Sequence, residues 1–494
     1  MDGTVERELK LTAPAGFSLA RMEPHLDAYV ASPVSLKRLH TVYYDTDDLR
    51  LARWGCSLRF RAGEGWTLKI PVPRESDALY REEHEFPGDG KTVPPAALDL
   101  ATAYLRGATP KPVAELRTLR TSRHVLSDGG TDVAEVVEDD VRVVEGTHVV
   151  RRFRQIEIEL SDEAPDNALN LLGDLLRQEG AGKPDPVAKD VRALGERASE
   201  PELAPPELDE RSPIGDVARA AFAVSVERLI RHDSALRLHA DEESVHNARV
   251  AVRRMRSDLR TFLSILDETW ACDLRERMRW LQDGFSAARD ADVLLANVRR
   301  TSADLPDPDR SRVDDVLAPL RAARAQAYDR MRAMLHDPRY AELLQELVDA
   351  AKRPPLTAAA AEPACDVIAE IVGDAWSALR KRVRRRAKPP ADRELHAIRI
   401  GAKRVRYAAE AVAPVAGRRA QTLARAVEEL QTVLGKQHDA VVACEQLHEL
   451  PKDGVNGFVA GELAALEYRA ASEGRRAWRD IWREAKRAHR RFIG

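Results

Sequence analysis

Cysteine is scarce in this chain: four in 494 residues, at positions 56, 272, 365 and 444. They form no C-x-x-C pair, which removes a disulfide framework and the usual thiolate zinc site and fits a reducing compartment. Aromatic residues reach only 5%, few for the stacking platforms that hold single-stranded nucleic acid. No run of eighteen uncharged apolar residues occurs, so no membrane-spanning helix is expected. The N-terminus, MDGTVERELKL, is charged where a secretory signal would be apolar. The expected location is the cytoplasm.

Charge is abundant, at 32% of residues, and hydrophobic residues make up 44%, enough for ordinary cores. The net charge of −3 hides an asymmetry. Residues 1–211 hold 28 Lys and Arg against 39 Asp and Glu, a net −11; residues 212–494 hold 50 against 42, a net +8. The basic part favours a polyanion, and the acidic part is suited to holding metal cations.

Residues 1–195 alternate short strand-like runs with Gly and Pro, and 196–213 is a Pro- and Glu-rich linker. From 214 to 494 the apolar residues recur at helical spacings, with a break at KRPPLTAAAAEP (352–363) that separates halves of about 214–351 and 364–492. The helical part repeats itself. VHNARVAVRRMRSDLRTF (245–262) matches LHAIRIGAKRVRYAAEAV (395–412) without a gap, and LQDGFSAARDADV (281–293) resembles LQTVLGKQHDAVV (430–442). Two similar helical units about a pseudo-two-fold axis follow.

Residues i, i+2 and i+4 of a strand share a face. Glu6, Glu8 and Lys10 therefore oppose Leu9 and Leu11; Arg59 and Arg61 oppose Leu58 and Phe60; Lys69 opposes Leu68 and Ile70. Arg81, Glu83 and Glu85 align, as do Glu135 and Asp139; Glu157 and Glu159 oppose Ile156, Ile158 and Leu160. A solvated outer face explains any one such strand. Acids concentrated on some strands and cations on others fit a closed barrel with a charged interior. Carboxylates there would hold a divalent metal, and the cations phosphate oxygens.

Glu6-x-Glu8-x-Lys10 resembles the E-x-E-x-K signature of the CYTH superfamily of triphosphate tunnel metalloenzymes. It is followed in order by YYDT (43–46), Arg59-x-Arg61, Lys69, Arg81 with Glu83, Arg120, Glu135 with Asp139, Glu157 with Glu159, and Lys189. The resemblance implies an eight-stranded antiparallel tunnel barrel with flanking helices that hydrolyses or rearranges triphosphates with Mg2+ or Mn2+. It implies that Glu6, Glu8, Asp139, Glu157 and Glu159 are metal-side acids, and that Lys10, Arg59, Arg61, Lys69, Arg81, Arg120 and Lys189 are phosphate-side cations. Glu83 and Glu135 stand between ligand and supporting roles. Ala188 occupies a position where relatives often carry serine.

In the repeated helix, His246, Arg249, Arg253, Arg256 and Arg260 share one face, roughly 200° around from Ala248, Val252, Met255, Leu259 and Phe262. His396, Arg399, Lys403 and Arg406 repeat the stripe, backed by Ile398, Ala402, Val405, Ala409 and Val412. Like charges at i, i+4 repel, and a structural face would mix in acids. The doubled H-x-x-R-x-x-x-[KR]-[KR]-x-R pattern, with RDADV (289–293) and QHDAV (437–441), resembles the CHAD family, a helical module of two four-helix units that binds inorganic polyphosphate between them. Arg289 aligns with His438, so both belong to the expected binding set. KRVRRRAKPP (381–390) adds charge or forms only a basic loop.

The expected protein is an α+β multidomain chain: a metal-dependent inorganic triphosphatase barrel joined to an all-α module that retains polyphosphate, cytoplasmic and associated with polyphosphate granules. A non-catalytic polyphosphate binder, or a triphosphatase or cyclase acting on thiamine triphosphate or a nucleotide, are the alternatives; nucleic acid is not the expected partner. Polyphosphate affinity is expected to rise as pH falls through about 6.5, if the stripe histidines titrate near their unperturbed value.

Overall fold

The computed structural model describes residues 4–21, 25–26, 29–71, 81–127, 129–165, 167–386, 390–450 and 454–493. They form two compact units, 1–202 and 203–494. The strands of unit 1 are β1 (Thr4–Glu6), β2 (Glu8–Thr12), β3 (His25–Leu26), β4 (Tyr29–Ala31), β5 (Ser35–Asp45), β6 (Ser57–Arg61), β7 (Gly65–Pro71), β8 (Arg81–Phe86), β9 (Lys111–Ser127), β10 (Asp132–Glu145) and β11 (His148–Leu160). The antiparallel order is β1-β8-β7-β6-β5-β9-β10-β11-β2. Its two ends, β1 and β2, flank the single residue Arg7. The first stretch of chain therefore spans both edges, and counted once it closes a ring of eight strands.

The apolar residues of β2 and β11 pack outside the ring. Ile156 and Ile158 of β11 and Leu11 of β2 pack on Leu172 and Leu176 of the helix Ala168–Gln178 in one core cluster. The spacing of Ala168, Leu172, Leu175 and Leu176 gives that helix its buried stripe. A Cβ on Gly173 would stand 2.6 Å from Leu9, so glycine permits the close approach. The core of unit 1 thus lies outside the ring, and the charged residues are left to line its interior.

The start of the expected linker belongs to unit 1. Glu202 is buried, 2.8 and 2.6 Å from Arg106 Nη2, and accepts a hydrogen bond from Trp54 Nε1 at 2.6 Å.

Unit 2 is helical. In the order used here, its first half has α1 (Ile214–Leu238), α2 (Glu242–Thr261), α3 (Glu268–Ser302), α4 (Asp307–Arg310), α5 (Val313–Leu335) and α6 (Pro338–Lys352). Its second half has α7 (Ala364–Arg385), α8 (Asp392–Ala416), α9 (Arg418–Glu449) and α10 (Gly454–Ile493). The apolar residues of the sequence repeat, Ala248 to Phe262 on α2 and its end and Ile398 to Val412 on α8, are buried. The halves differ in one respect. Where the second has the continuous α10, the first breaks between α5 and α6. Asp337 accepts from Arg339 N at 3.0 Å and Pro338 lacks an N–H, so the chain starts a new helix there. Residues 381–385 of the basic KRVRRR run are helical, the last turns of α7. Among the described residues, no helix is long and apolar enough to cross a membrane.

Candidate functional sites

The ring interior is a cavity of about 520 Å³. Three adjacent strands, β2, β11 and β10, set Glu8, Glu159 and Glu135 directly opposite one another. Three others, β6, β7 and β8, contribute Arg59, Arg61, Lys69, Arg81 and Glu83. Lys10, Arg120, Glu157 and Lys189 complete the expected residues on the wall. Asp139 is fully buried behind Arg120 and Lys189. The side chain of Glu6 lies outside the described residues; its backbone pairs with Arg81.

The cavity holds a tightly compensated network. Arg120 grips Asp139 with two hydrogen bonds of 2.9 and 2.8 Å, and Lys189 Nζ is 2.7 Å from Asp139 and 2.5 Å from Glu157. Lys10 pairs with Glu8 and lies 3.8 Å from Glu157. Burial alone would raise both acids, but the facing cations outweigh it and hold Asp139 and Glu157 below the carboxylate range. Lys189 is raised because Glu157 and Asp139 overcome its own burial. Glu159 moves the other way: burial and the charge of Glu157 raise its pKa, with Glu8 adding and Lys69 and Arg120 opposing.

Local structure explains how Lys189 reaches the interior. Thr12 N donates to Lys183 O at 3.0 Å and Asp185 N to Lys10 O at 2.8 Å. Gln155 Nε2 donates to Val187 O at 3.0 Å. These bonds tie the segment to β2 and β11, and a helix begins at Lys189. Ala188 is its N-cap and supplies no side-chain bond, the bond a serine would make. Glu83 takes a supporting part in this state, 3.2 Å from Arg59 and 2.8 Å from Lys69. Asp45 of YYDT is a cap whose carboxylate accepts from the N–H groups of Thr46, Leu51 and Ala52.

Lys37 and Glu64, absent from the sequence reading, and Glu85, read only as sharing a strand face with Arg81 and Glu83, also line the cavity. Lys37 has the right alternation on β5 and pairs with Arg120 in register; reading only YYDT from that strand hid it.

Exchanging Lys189 for methionine should lower stability by about 3 kcal/mol, because two buried carboxylates lose a shared partner. Their depressed pKa values supply stability that is fully present above the unfolded value near 4 and is lost as pH falls from there through the lower folded values. The variant should melt lower at pH 7 and show a shallower loss between about pH 5 and 3. An unchanged melting temperature would refute this.

Unit 2 has a groove of about 430 Å³. Arg249, Arg253, Arg256 and Arg260 line it from α2, His396, Arg399 and Lys403 from α8, and His438 from α9. Equivalent positions make equivalent pairs: Arg249 with Asp290 at 3.0 Å, and Arg399 with Asp439 at 3.8 Å. Three expected residues do not line the groove. Arg406 is held by Glu410 and Glu428 at 2.7 and 2.9 Å, and Arg289 is 3.5 Å from Glu242. His246 is off the wall, yet Arg289, Arg253 and Arg249 add to its burial in lowering its pKa. Arg275, Arg404 and Tyr407 line the groove without having been singled out. Tyr407 OH accepts from Arg253 Nε at 2.7 Å; its counterpart in the first repeat is Ser257, so the repeat gave no sign of it.

The histidines are also not near their ordinary pKa. The rings of His396 and His438 are 4.0 Å apart. Burial, His396 and the nearby cations push His438 down to about 4, and burial with Arg399 and Lys403 lowers His396. Lys403 is pushed down to about 6 by burial and by Arg253, Arg399 and Arg249. The expected pH response therefore changes its source. A bound polyanion favours the charged amine, so affinity should rise as pH falls from 8 to about 6 through Lys403. Lys403→Arg, which stays charged, should flatten that rise in a titration of polyphosphate across this range; an unaltered rise would refute the assignment.

Residues 4–193 match the CYTH domain family and residues 220–448 the CHAD domain family. The chain is 30% identical over 444 residues to the uncharacterized protein Rv2226 of Mycobacterium tuberculosis, covering 83% of this chain and 82% of that protein. Among solved structures, PptA from Streptomyces chartreusis aligns at 21% identity and a TM-score of 0.45, over 55% of this chain and 100% of its own. The CHAD domain from the plant Ricinus communis aligns at 24% identity and a TM-score of 0.44, over 56% and 96%.

Proposed function

The chain belongs to the family that joins a CYTH domain to a CHAD domain, and from that premise we propose that unit 1 hydrolyses inorganic triphosphate and short polyphosphate while unit 2 holds longer polyphosphate. CYTH domains are triphosphate-tunnel enzymes, typically dependent on a divalent metal. The observation that carries the reading is the division of one cavity into an acid arc, Glu8, Glu159 and Glu135, and a cation arc, Arg59, Arg61, Lys69 and Arg81. Phosphoryl transfer needs little beyond positioning and neutralisation of charge, and the two arcs supply both.

Among the described residues, no group of three or more His, Cys, Asp or Glu side chains is placed to hold a metal ion by itself. Mg2+ or Mn2+ does not need one, because one or two carboxylates with water and substrate phosphates complete the shell. Glu8 and Glu159 fit that part, and burial with the charge of Glu157 raises the pKa of Glu159, where an added cation would be stabilising. Glu6 joins them by sequence. These acids would hold the cation, which would supply neutralisation of phosphate charge and a lowered water pKa. Asp139 and Glu157 act differently, as positioning residues that aim Arg120 and Lys189. Arg59 and Lys69 exchange Glu83 for phosphate oxygens. Water oxygen bonds to the terminal phosphorus, the bridging P–O bond breaks, pyrophosphate leaves with the electron pair, and the proton of water passes to the acid arc.

Phosphate release from tripolyphosphate, thiamine triphosphate and ATP, each with Mg2+, Mn2+ or excess chelator, tests the reading. Metal-dependent turnover highest on tripolyphosphate is expected. Faster turnover of either organic triphosphate, or none of any, would overturn it.

A further inference from the structure

We propose that the polyphosphate track of unit 2 continues beyond the groove, past Arg404 and Arg382, onto the outer face of α7, where Arg380, Lys381, Arg384 and Arg385 form a second contact site for the same chain. This rests on the reading of unit 2 as a polyphosphate binder and adds a site to it.

The four side chains are exposed and, with Ser377, border an open depression of about 520 Å³. Among the described residues, no carboxylate pairs with any of the four. Spacings of one, three and four residues place them together. With about 100° per residue, Arg384, Lys381 and Arg385 lie roughly 40°, 100° and 140° around from Arg380, and Arg382 follows at about 200°. The cations thus wind round the last turns of α7 in one band, opposite the buried Leu379 and Val383.

Arg382 leads that band to the groove. Its Nη1 lies against α8 at Gly401, where an added Cβ would stand 2.9 Å away. Nη1 is buried and makes no hydrogen bond. Arg404, which lines the groove, feels Arg260, Arg382 and Arg275; burial and these three push it down to about 10, with no carboxylate opposing. This end of the groove differs from the end at Arg249 and Arg399, where Asp290 and Asp439 sit beside the cations.

A helix C-terminus does favour cations, but only within its last turn. That accounts for Arg384 and Arg385 and leaves Arg380 and Lys381, a turn earlier, unexplained. Repulsion at i, i+4 costs a few tenths of a kcal/mol per pair and is relieved by a polyanion. A linear chain that fills the groove carries its own tether to the second site, so the second contact forms at high effective concentration.

The test uses the full chain with Arg380, Lys381, Arg384 and Arg385 all changed to alanine, which keeps helix propensity. Affinity for long-chain inorganic polyphosphate should fall about tenfold, and the slope of log K against log salt should shrink by roughly 2 to 3. Affinity for an oligophosphate too short to leave the groove should change less than about twofold, with an unchanged melting curve. Equal losses for short and long chains would reduce the patch to a general field and overturn the proposal, as would no loss for long chains. An equal loss of affinity for single-stranded DNA of matched charge would overturn the assignment to polyphosphate. Failure of the unaltered protein to bind long-chain polyphosphate at low salt is a separate outcome, which overturns the underlying reading of unit 2.

Discussion

Glu159→Gln should reduce metal-dependent tripolyphosphate hydrolysis by at least about 100-fold while leaving the protein no less stable than before. The two halves of that expectation come from one feature. Glu159 faces Glu8 and Glu135 on neighbouring strands, about 4.8 Å away in the pairing direction. Its folded pKa is raised, by burial and then by Glu157 and Glu8. A carboxyl with a raised folded pKa binds its proton more tightly in the folded state than in the unfolded one. Stability therefore falls as pH rises from the unfolded value near 4.3 through the folded value. Removing the charge returns it. The amide also keeps the volume of the side chain. A site that costs stability and is kept for activity gives this opposite movement of two readouts. Mg2+ or Mn2+ should raise the melting temperature of the unaltered protein, because a ligand of the folded state stabilises it, and raise that of Glu159→Gln less. Full activity in the variant, or a metal-induced shift of equal size, would rule out Glu159 as a metal-side acid.

Lys189→Met gives the contrast, since it is expected to destabilise. The two variants separate Glu159, whose carboxyl pKa burial and Glu157 raise, from the network at Asp139 and Glu157, which Lys189 and its neighbours hold ionised. That division was not legible in the sequence. Period-two alternation tells only which side of a strand a carboxylate occupies, and the family resemblance grouped Glu8, Asp139, Glu157 and Glu159 as equals. Which cation reaches which acid depends on strand register and on Lys189 arriving from a segment outside the ring, and neither has a local signal. The ring itself was legible, because outward Leu, Ile and Val and inward charges follow from alternation alone. In unit 2 the three-four spacing fixed the buried faces of α2 and α8. It put Arg406 on the binding stripe and left out Arg404, whereas Arg404 reaches the groove and Glu410 and Glu428 hold Arg406 away. Those two lie only two residues apart, and acids on neighbouring turns and helices decided between them.

Neutralising Arg249 and Arg399 together, as Arg249→Gln with Arg399→Gln, should weaken long-chain polyphosphate binding by roughly 100-fold at low salt. A charge-assisted hydrogen bond contributes about 1.5 kcal/mol or more, and two at that figure give about 3 kcal/mol, a little over two decades in Kd. The groove complicates simple addition. Burial and the repulsion of neighbouring arginines lower the pKa of the Arg249 and Arg399 guanidiniums, so each removal also relieves its neighbours in the free protein. Asp290 and Asp439 work in the other direction: with their arginines gone they face the incoming phosphates uncompensated. The two effects have opposite signs, and the second carries the larger weight once ligand is bound, because like charges are then brought together in a half-buried site. The salt slope should fall by about 1.4, two contacts at about 0.7 each. The control is Arg312→Gln with Arg332→Gln on the same unit, which removes the same charge from exposed pairs with Asp315 and Asp329. It should cost less than about threefold, since exposed pairs contribute little and their field is screened beyond about 10 Å at 0.1 M salt. Titration of labelled polyphosphate against both double variants at several salt concentrations makes the comparison. Equal losses in the two would mean that binding follows net charge, and the groove would have no special part in it.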